Sequence, residues 1–194
     1  VHRDLHSFPT RRSSDLYAGW IALHAAIAGG AEVCLIPEIP YDINKVIEAI
    51  NQRIDNGRGF ANIIIAEGEM PIDGGMEFSE NVTPGAMKIR LGGAGLRLSQ
   101  ELKEAGCPIE IRETILGHLQ RGGVPNAFDR ILASMFGVKA FELVLEQKWG
   151  HMVAYKQPDI VAVPISDAIK EYNLVNPVGN LVHTARGLGI SLGD

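Results

Sequence analysis

The sequence predicts an α/β fold, a three-layer sandwich with a mainly parallel sheet. Three observations predict it. Short apolar runs, "AEVCLIPE" and "FANIIIAEG", have the length and residue types of buried strands. Longer runs with helical spacing alternate with them. Glycines and prolines punctuate the junctions, as they do at element ends.

The elements follow in order. "GWIALHAAIAGG" is apolar nearly all round and reads as a buried helix stopped at Gly29 and Gly30. "AEVCLIPE" is a short strand, stopped by Pro37 and Pro40. Asp42 is placed to cap "INKVIEAINQRID", whose Ile43, Val46, Ile47 and Ile50 fall on one helical face. Gly57 and Gly59 end that helix, and "FANIIIAEG" is the next strand. Residues 68–91 are polar and glycine-rich and read as a loop. "GLRLSQELKEAG" is a helix closed by Gly106, and "PIEIRETI" is a third strand. After "LGHLQRGGVPN" comes a long helix, "AFDRILASMFGVKAFELVLEQ". "HMVAYK" and "DIVAVP" read as strands, "ISDAIKEY" as a short helix and "LVHTARGLGI" as a terminal helix.

Composition narrows the function classes. The chain has 194 residues, 46% of them hydrophobic, enough for a real core in one large or two small domains. A net charge of −5 does not call for nucleic acid or an anionic membrane as partner. The two cysteines, Cys34 and Cys107, are too far apart for a metal knuckle and fit a reduced, cytoplasmic protein. No apolar run approaches the roughly 20 residues of a membrane span. The stretch "HRDLHSFPTRRSSDL" has neither helical period nor an apolar signal-peptide core. In one reading frame a widely used sequencing adapter translates to it, so residues 1–16 are expected to be non-native.

The rule for open α/β sheets puts ligands beyond the carboxyl ends of the strands. Glu38 falls just past one strand, and His118 and Arg121 fall just past "PIEIRETI". A guanidinium grips phosphate through two hydrogen bonds, and an imidazole donates to phosphate or hydroxyl. A carboxylate repels phosphate and accepts from hydroxyls. Gly122 and Gly123 would let the backbone pass close and turn. Together these residues suit a sugar phosphate. Taken singly, each has an ordinary reading: a solvated loop glutamate, a surface His-Arg pair, and Arg112 on the solvent face of an edge strand. His24 reads as a core histidine, and His151 and His183 show no partner pattern. "GGAG" at 92–95 lacks the trailing residues of phosphate-loop fingerprints and reads as a helix start.

The whole pattern is more specific than its parts. "IRETILGHLQRGGVPNAFDRILA" closely resembles the carboxyl-terminal signature of the 6-phosphofructokinases. "AGWIALHAAIAGGAEVCLIPEIPYD" resembles the segment after their Met-Gly-Arg turn, and "VHTARGLGISLGD" the carboxyl terminus of a bacterial branch with pyrophosphate-using and mixed-type members. The resemblance runs from Tyr17 to Asp194 with the motifs in family order.

The resemblance implies the phosphofructokinase fold and four sugar-phosphate contacts. Glu38 matches the glutamate that binds fructose hydroxyls. His118 and Arg121 match the pair on the 6-phosphate, and Arg112 matches an arginine that reaches a neighbouring subunit's site. It implies transfer of a phosphoryl group from ATP or pyrophosphate to the 1-hydroxyl of fructose 6-phosphate, with Mg2+, in a homodimer or homotetramer. The family's donor loops and catalytic aspartate find no match here, so the chain reads as an inactive fragment whose catalytic base lies elsewhere. Expected domains are 17–123 for the sugar phosphate, 124–163 returning to a nucleotide domain, and 164–194 rejoining the first. The returning portion would expose an apolar surface. "NGRGFAN" offers only Arg58 where bacterial ATP-using members of the family are richer in basic residues, which argues against allosteric control. A non-catalytic sugar-phosphate-binding regulatory module is the alternative.

Overall fold

The computed structural model describes residues 18–69, 71–72, 93–170 and 173–194. The adapter-like stretch and most of the 68–91 loop lie outside the described residues. The chain forms two compact units: residues 18–115 with 174–194, and residues 116–173.

The larger unit is a sandwich of three layers. Helix α1 (Trp20–Gly29) leads to strand β1 (Val33–Leu35), helix α2 (Ile43–Asp55), strand β2 (Ile63–Ile65) and helix α3 (Ala94–Glu104). β1 and β2 pair in parallel, Val33 opposite Ile63 and Leu35 opposite Ile65. On the other side of β1, Ser191 makes a parallel bridge to Val33. Its N–H donates to Glu32 O and its carbonyl accepts from Cys34 N, both at 2.9 Å.

Side chains on a strand alternate between faces, and the sheet uses both. Cys34 and Ile64 face a core built with α1 and helix α6 (Asn180–Gly187). Val33, Leu35, Ile63 and Ile65 face a second core with α2 and α3. The Asp42 carboxylate accepts from Asn44 N at 2.8 Å, so α2 begins where its cap predicts. α3 starts after Gly93, whose N–H donates to Glu67 Oε1 at 3.1 Å.

The expected third strand over "PIEIRETI" does not form. Cys107, Ile109 and Ile111 pack on the second core, while Pro108, Glu110 and Arg112 are exposed. Apolar packing therefore satisfies the period-two pattern without a ladder. A pocket of about 170 Å³, lined by Ile63, Ile65, Ile109 and Ile111 among others, separates this segment from β2.

The smaller unit holds a 3-10 helix (Gly117–Arg121), helix α4 (Ala127–Leu145), strands β3 (His151–Lys156) and β4 (Asp159–Pro164), and helix α5 (Ile165–Ala168). Asn126 caps α4 reciprocally: its side chain accepts from Asp129 N at 3.0 Å, and its own N–H donates to Asp129 Oδ2 at 2.9 Å. β3 and β4 are antiparallel, with Lys156 opposite Asp159. A two-residue connection allows no crossover, so this hairpin is the exception to the parallel pattern. α4 packs on the hairpin, with the Phe128 and Tyr155 rings edge to face at 6.5 Å. Its apolar residues nonetheless run all round the helix. Leu143 is 5% exposed, but Val138 and Phe141 are each 63% exposed and Ile131 is 60% exposed.

Candidate functional site

Glu38 stands three residues beyond β1, in the turn "IPEIP". Its carboxylate is half-buried and committed to main-chain donors. Oε1 accepts from Gly19 N at 3.0 Å and from Val175 N at 2.8 Å, and Oε2 accepts from Gly19 N at 3.1 Å. Charge-assisted bonds of this kind are about twice as strong as neutral ones. They hold the acid in one place and leave Oε2 lone-pair capacity for a hydroxyl.

Position 19 has to be glycine. A β-carbon there would lie 2.3 Å from Ile36 Cβ and 2.9 Å from Glu38 Oε2. Next to this turn, Cys34 is wholly buried. Burial, with the Glu38 charge adding to it, pushes its thiol up to about 12. It packs as a small apolar group and has no thiolate chemistry near neutrality.

Arg112 lies in the same unit as Glu38, on the outward side of the unpaired segment. Its side chain is 82% exposed and forks onto Glu110, with Nε to Oε1 at 3.0 Å and a terminal nitrogen to Oε2 at 3.3 Å. An ion pair so wet is worth little and yields readily to another anion.

His118 and Arg121 belong to the smaller unit, whereas Glu38 and Arg112 belong to the larger. Both fall in the 3-10 helix, three residues apart, which is one turn of such a helix. They follow an unpaired segment rather than a strand, because "PIEIRETI" forms no ladder. Of the two glycines after them, Gly122 is extended with φ −86°, whereas Gly123 has φ +108°. The turn therefore requires glycine at 123, and position 122 owes its glycine to no backbone strain.

The other histidines are in ordinary places. His24 stacks on Trp20 with ring centres 6.2 Å apart, and burial lowers its pKa. His151 Nδ1 lies 3.0 Å from the Trp149 carbonyl oxygen. Among the described residues no group of three or more His, Cys, Asp or Glu is placed to hold a metal ion. Among them, too, no helix is long and apolar enough to cross a membrane.

Sequence reasoning missed the partners of Glu38, since Gly19 and Val175 contribute main-chain N–H groups that no side-chain pattern announces. It also missed a polar group in which buried Tyr41 and Glu69 meet the partly exposed Arg97 and Glu101 of α3. Arg97 and Glu101 stand at i and i+4 on α3, a spacing that was legible as a helical charge pair.

Comparison with known proteins bears on the same residues. A family model described as Phosphofructokinase matches residues 16–144. The ATP-dependent 6-phosphofructokinase 2 of Clostridium perfringens is 45% identical over 177 residues, which cover 91% of this chain and 48% of that protein. The ATP-dependent 6-phosphofructokinase of Chloroflexus aurantiacus is 43% identical over 179 residues, covering 92% and 48%. The chain thus spans about half the length of the curated relatives it matches.

Among solved structures, a pyrophosphate-dependent phosphofructokinase from Marinobacter aquaeolei superposes with TM-score 0.62 at 20% identity, over 90% of this chain and 42% of that one. The T-state phosphofructokinase of Pichia pastoris gives TM-score 0.56 at 29% identity, over 78% and 15%. The family match takes in β1, the Glu38 turn and the 3-10 helix that carries His118 and Arg121, and on that ground the chain belongs to the phosphofructokinase family.

Proposed function

We propose that this chain is the fructose 6-phosphate-binding half of a 6-phosphofructokinase. The full enzyme would move a phosphoryl group onto the 1-hydroxyl of fructose 6-phosphate. An oxygen–phosphorus bond forms at that hydroxyl as its proton leaves, and the bond to the donor breaks, giving the 1,6-bisphosphate. Catalysis of this kind is mostly positioning and charge stabilisation. The observation that carries the reading is the family match across the Glu38 turn and the "GHLQRGG" loop.

In this reading Glu38 accepts from fructose hydroxyls, His118 and Arg121 take the 6-phosphate, and Arg112 serves the site of a neighbouring subunit. The main-chain anchoring of Glu38 supports its part, because a carboxylate held by fixed donors is pre-positioned for a ligand. The exposure of Arg112 supports its own, because the side chain is open to a second molecule. The names of the curated relatives favour ATP over pyrophosphate as donor. In this reading Mg2+ and the catalytic base come from the half of the parent enzyme that this chain does not span. A homodimer or homotetramer in the cytoplasm completes the proposal.

The domain assignment is part of it. Residues 17–123 and 164–194 would form the sugar-phosphate domain, and residues 124–163 would return to a nucleotide domain. The exposed apolar residues of α4 support that return, since an apolar helix surface is stable when covered.

The test is a full-length parent enzyme. Arg121→Ala should weaken use of fructose 6-phosphate by about 2–5 kcal/mol, because a phosphate loses its charged partner. Unchanged Michaelis constant and turnover would remove Arg121 from the site. The present chain, purified alone, should transfer no phosphoryl group, and transfer from either donor would overturn its assignment as a half.

A further inference from the structure

Four polar side chains meet in the larger unit at the carboxyl ends of β1 and β2. Tyr41, in the chain leaving β1, is fully buried and donates its hydroxyl to Glu101 Oε2 on α3. Arg97, one turn earlier on α3, donates from one terminal nitrogen to Glu69 Oε1 and to the Glu69 carbonyl oxygen, the latter at 3.0 Å. Arg97 Nε lies 3.7 Å from Glu101 Oε1. Glu69, in the stretch leaving β2, is 2% exposed. Its second oxygen, Oε2, is buried with no hydrogen-bond partner among the described residues.

The charges do not balance. Two carboxylates share one guanidinium, the tyrosine is neutral, and the carboxylate of Glu67 adds a further negative charge nearby. A buried anion with an unpartnered oxygen is costly, and one proton on Glu69 Oε2 removes the excess.

We propose that Tyr41, Glu69, Arg97 and Glu101 form a one-proton latch, which holds the stretch leaving β2 against α3 while Glu69 is protonated and loosens when that proton leaves. The other members keep their states across the neutral range. Burial and the Glu101 contact raise the Tyr41 pKa, so the phenol stays a donor. Burial pulls Arg97 down, but the Glu69 charge and the contacts with Tyr41 and Glu69 together outweigh it, so the guanidinium stays cationic. Glu69 itself is raised to about 7, chiefly by burial, with Arg97 opposing and Glu101 and Glu67 adding.

The main chain shows what the latch holds. Ile72 N donates to Tyr41 O at 2.9 Å, and Pro71 makes a parallel bridge to Tyr41. The stretch is thus tied to the β1 exit by backbone and to α3 by Glu69. An ionised Oε2 gains most from water, and water reaches it when the stretch lifts from α3. The inference is independent of which reaction the parent enzyme carries out.

The test uses the whole chain with carbon-13 in its glutamate carboxyls, titrated by NMR. Glu69 should titrate near neutrality, and the Glu69 and Ile72 amide signals should move with the same midpoint. In Glu69→Gln those amides should stay flat. Above about pH 8 the variant's Ile72 amide, corrected for the intrinsic pH dependence of exchange, should be at least about five-fold better protected than wild type. A Glu69 midpoint in the ordinary carboxylate range overturns the latch, as does equal Ile72 protection in the two proteins. Should Glu69→Gln fail to fold, the wild-type titration decides alone, because amide midpoints that do not coincide with Glu69 also overturn it.

Discussion

Glu38 Oε1 and the Val175 main-chain nitrogen lie 2.8 Å apart, although 137 positions separate them along the chain. One carboxylate thereby fastens the start of α1, the turn after β1 and the segment that leads to α6. Glu38→Ala should cost about 2–3 kcal/mol of stability, since it strips an ionised acceptor from half-buried amides. Glu38→Gln keeps one carbonyl oxygen for both donors and should recover more than half of the loss. Denaturant midpoints with unchanged slopes check this. An alanine variant as stable as wild type would show that the anchor holds nothing.

Gly19→Ala should destabilise by about 1–3 kcal/mol, because the added methyl collides with Ile36 and crowds the Glu38 carboxylate. Thermal melting reads the loss. A crystal structure of the variant should show the Glu38 turn displaced.

Two residues on α4 should respond in opposite ways. Leu143→Ala, at a buried position, should cost about 2–5 kcal/mol. Val138→Lys, at an exposed one, should change stability by less than about 0.5 kcal/mol and raise solubility. Chemical denaturation and the saturation concentration measure the two effects.

The pH dependence of stability has a definite sign. The Glu69 carboxyl is raised in the fold from its ordinary 4.5 to about 7. The folded chain then binds more protons than the unfolded one between those values. The stabilisation is full below the ordinary value, falls as pH rises, and is gone above about 7. The difference in melting temperature between wild type and Glu69→Gln, followed across that range, should trace this decline.

The cysteines should separate by reactivity. Cys34 is fully buried with its thiol pushed up to about 12, while Cys107 is half-exposed. Alkylation of the native chain at mildly alkaline pH, read by peptide mass, should modify Cys107 well before Cys34.

Much of the fold was legible because it rests on local chemistry. Asp42 and the Ile43, Val46 and Ile50 face fixed α2 to the residue, and glycine stops bounded α1 and α3. The run "III" and its counterpart "VCL" announced a strand pair with an apolar core on each face. The segment "PIEIRETI" misled because alternation reports which side chains are covered, not whether a neighbouring backbone is within hydrogen-bonding reach. The candidate site was legible as chemistry, a carboxylate and cations near element ends, and as a family resemblance. Its supports were not. Glu38 is held by amide groups that every residue but proline carries, and the orphaned oxygen of Glu69 depends on how tightly α3 covers it.

The bridge between Ser191 and β1 has a consequence for how the protein is made. A ribosome releases β1 long before Ser191, with the whole 116–173 unit emerging in between. The smaller unit is contiguous in sequence and can collapse as soon as it clears the exit tunnel. The larger one has to wait, its first core held half open, until residues 174–194 arrive to complete it. Translation arrested before that point would leave a nascent chain with a sticky flank, the form that chaperones are built to capture.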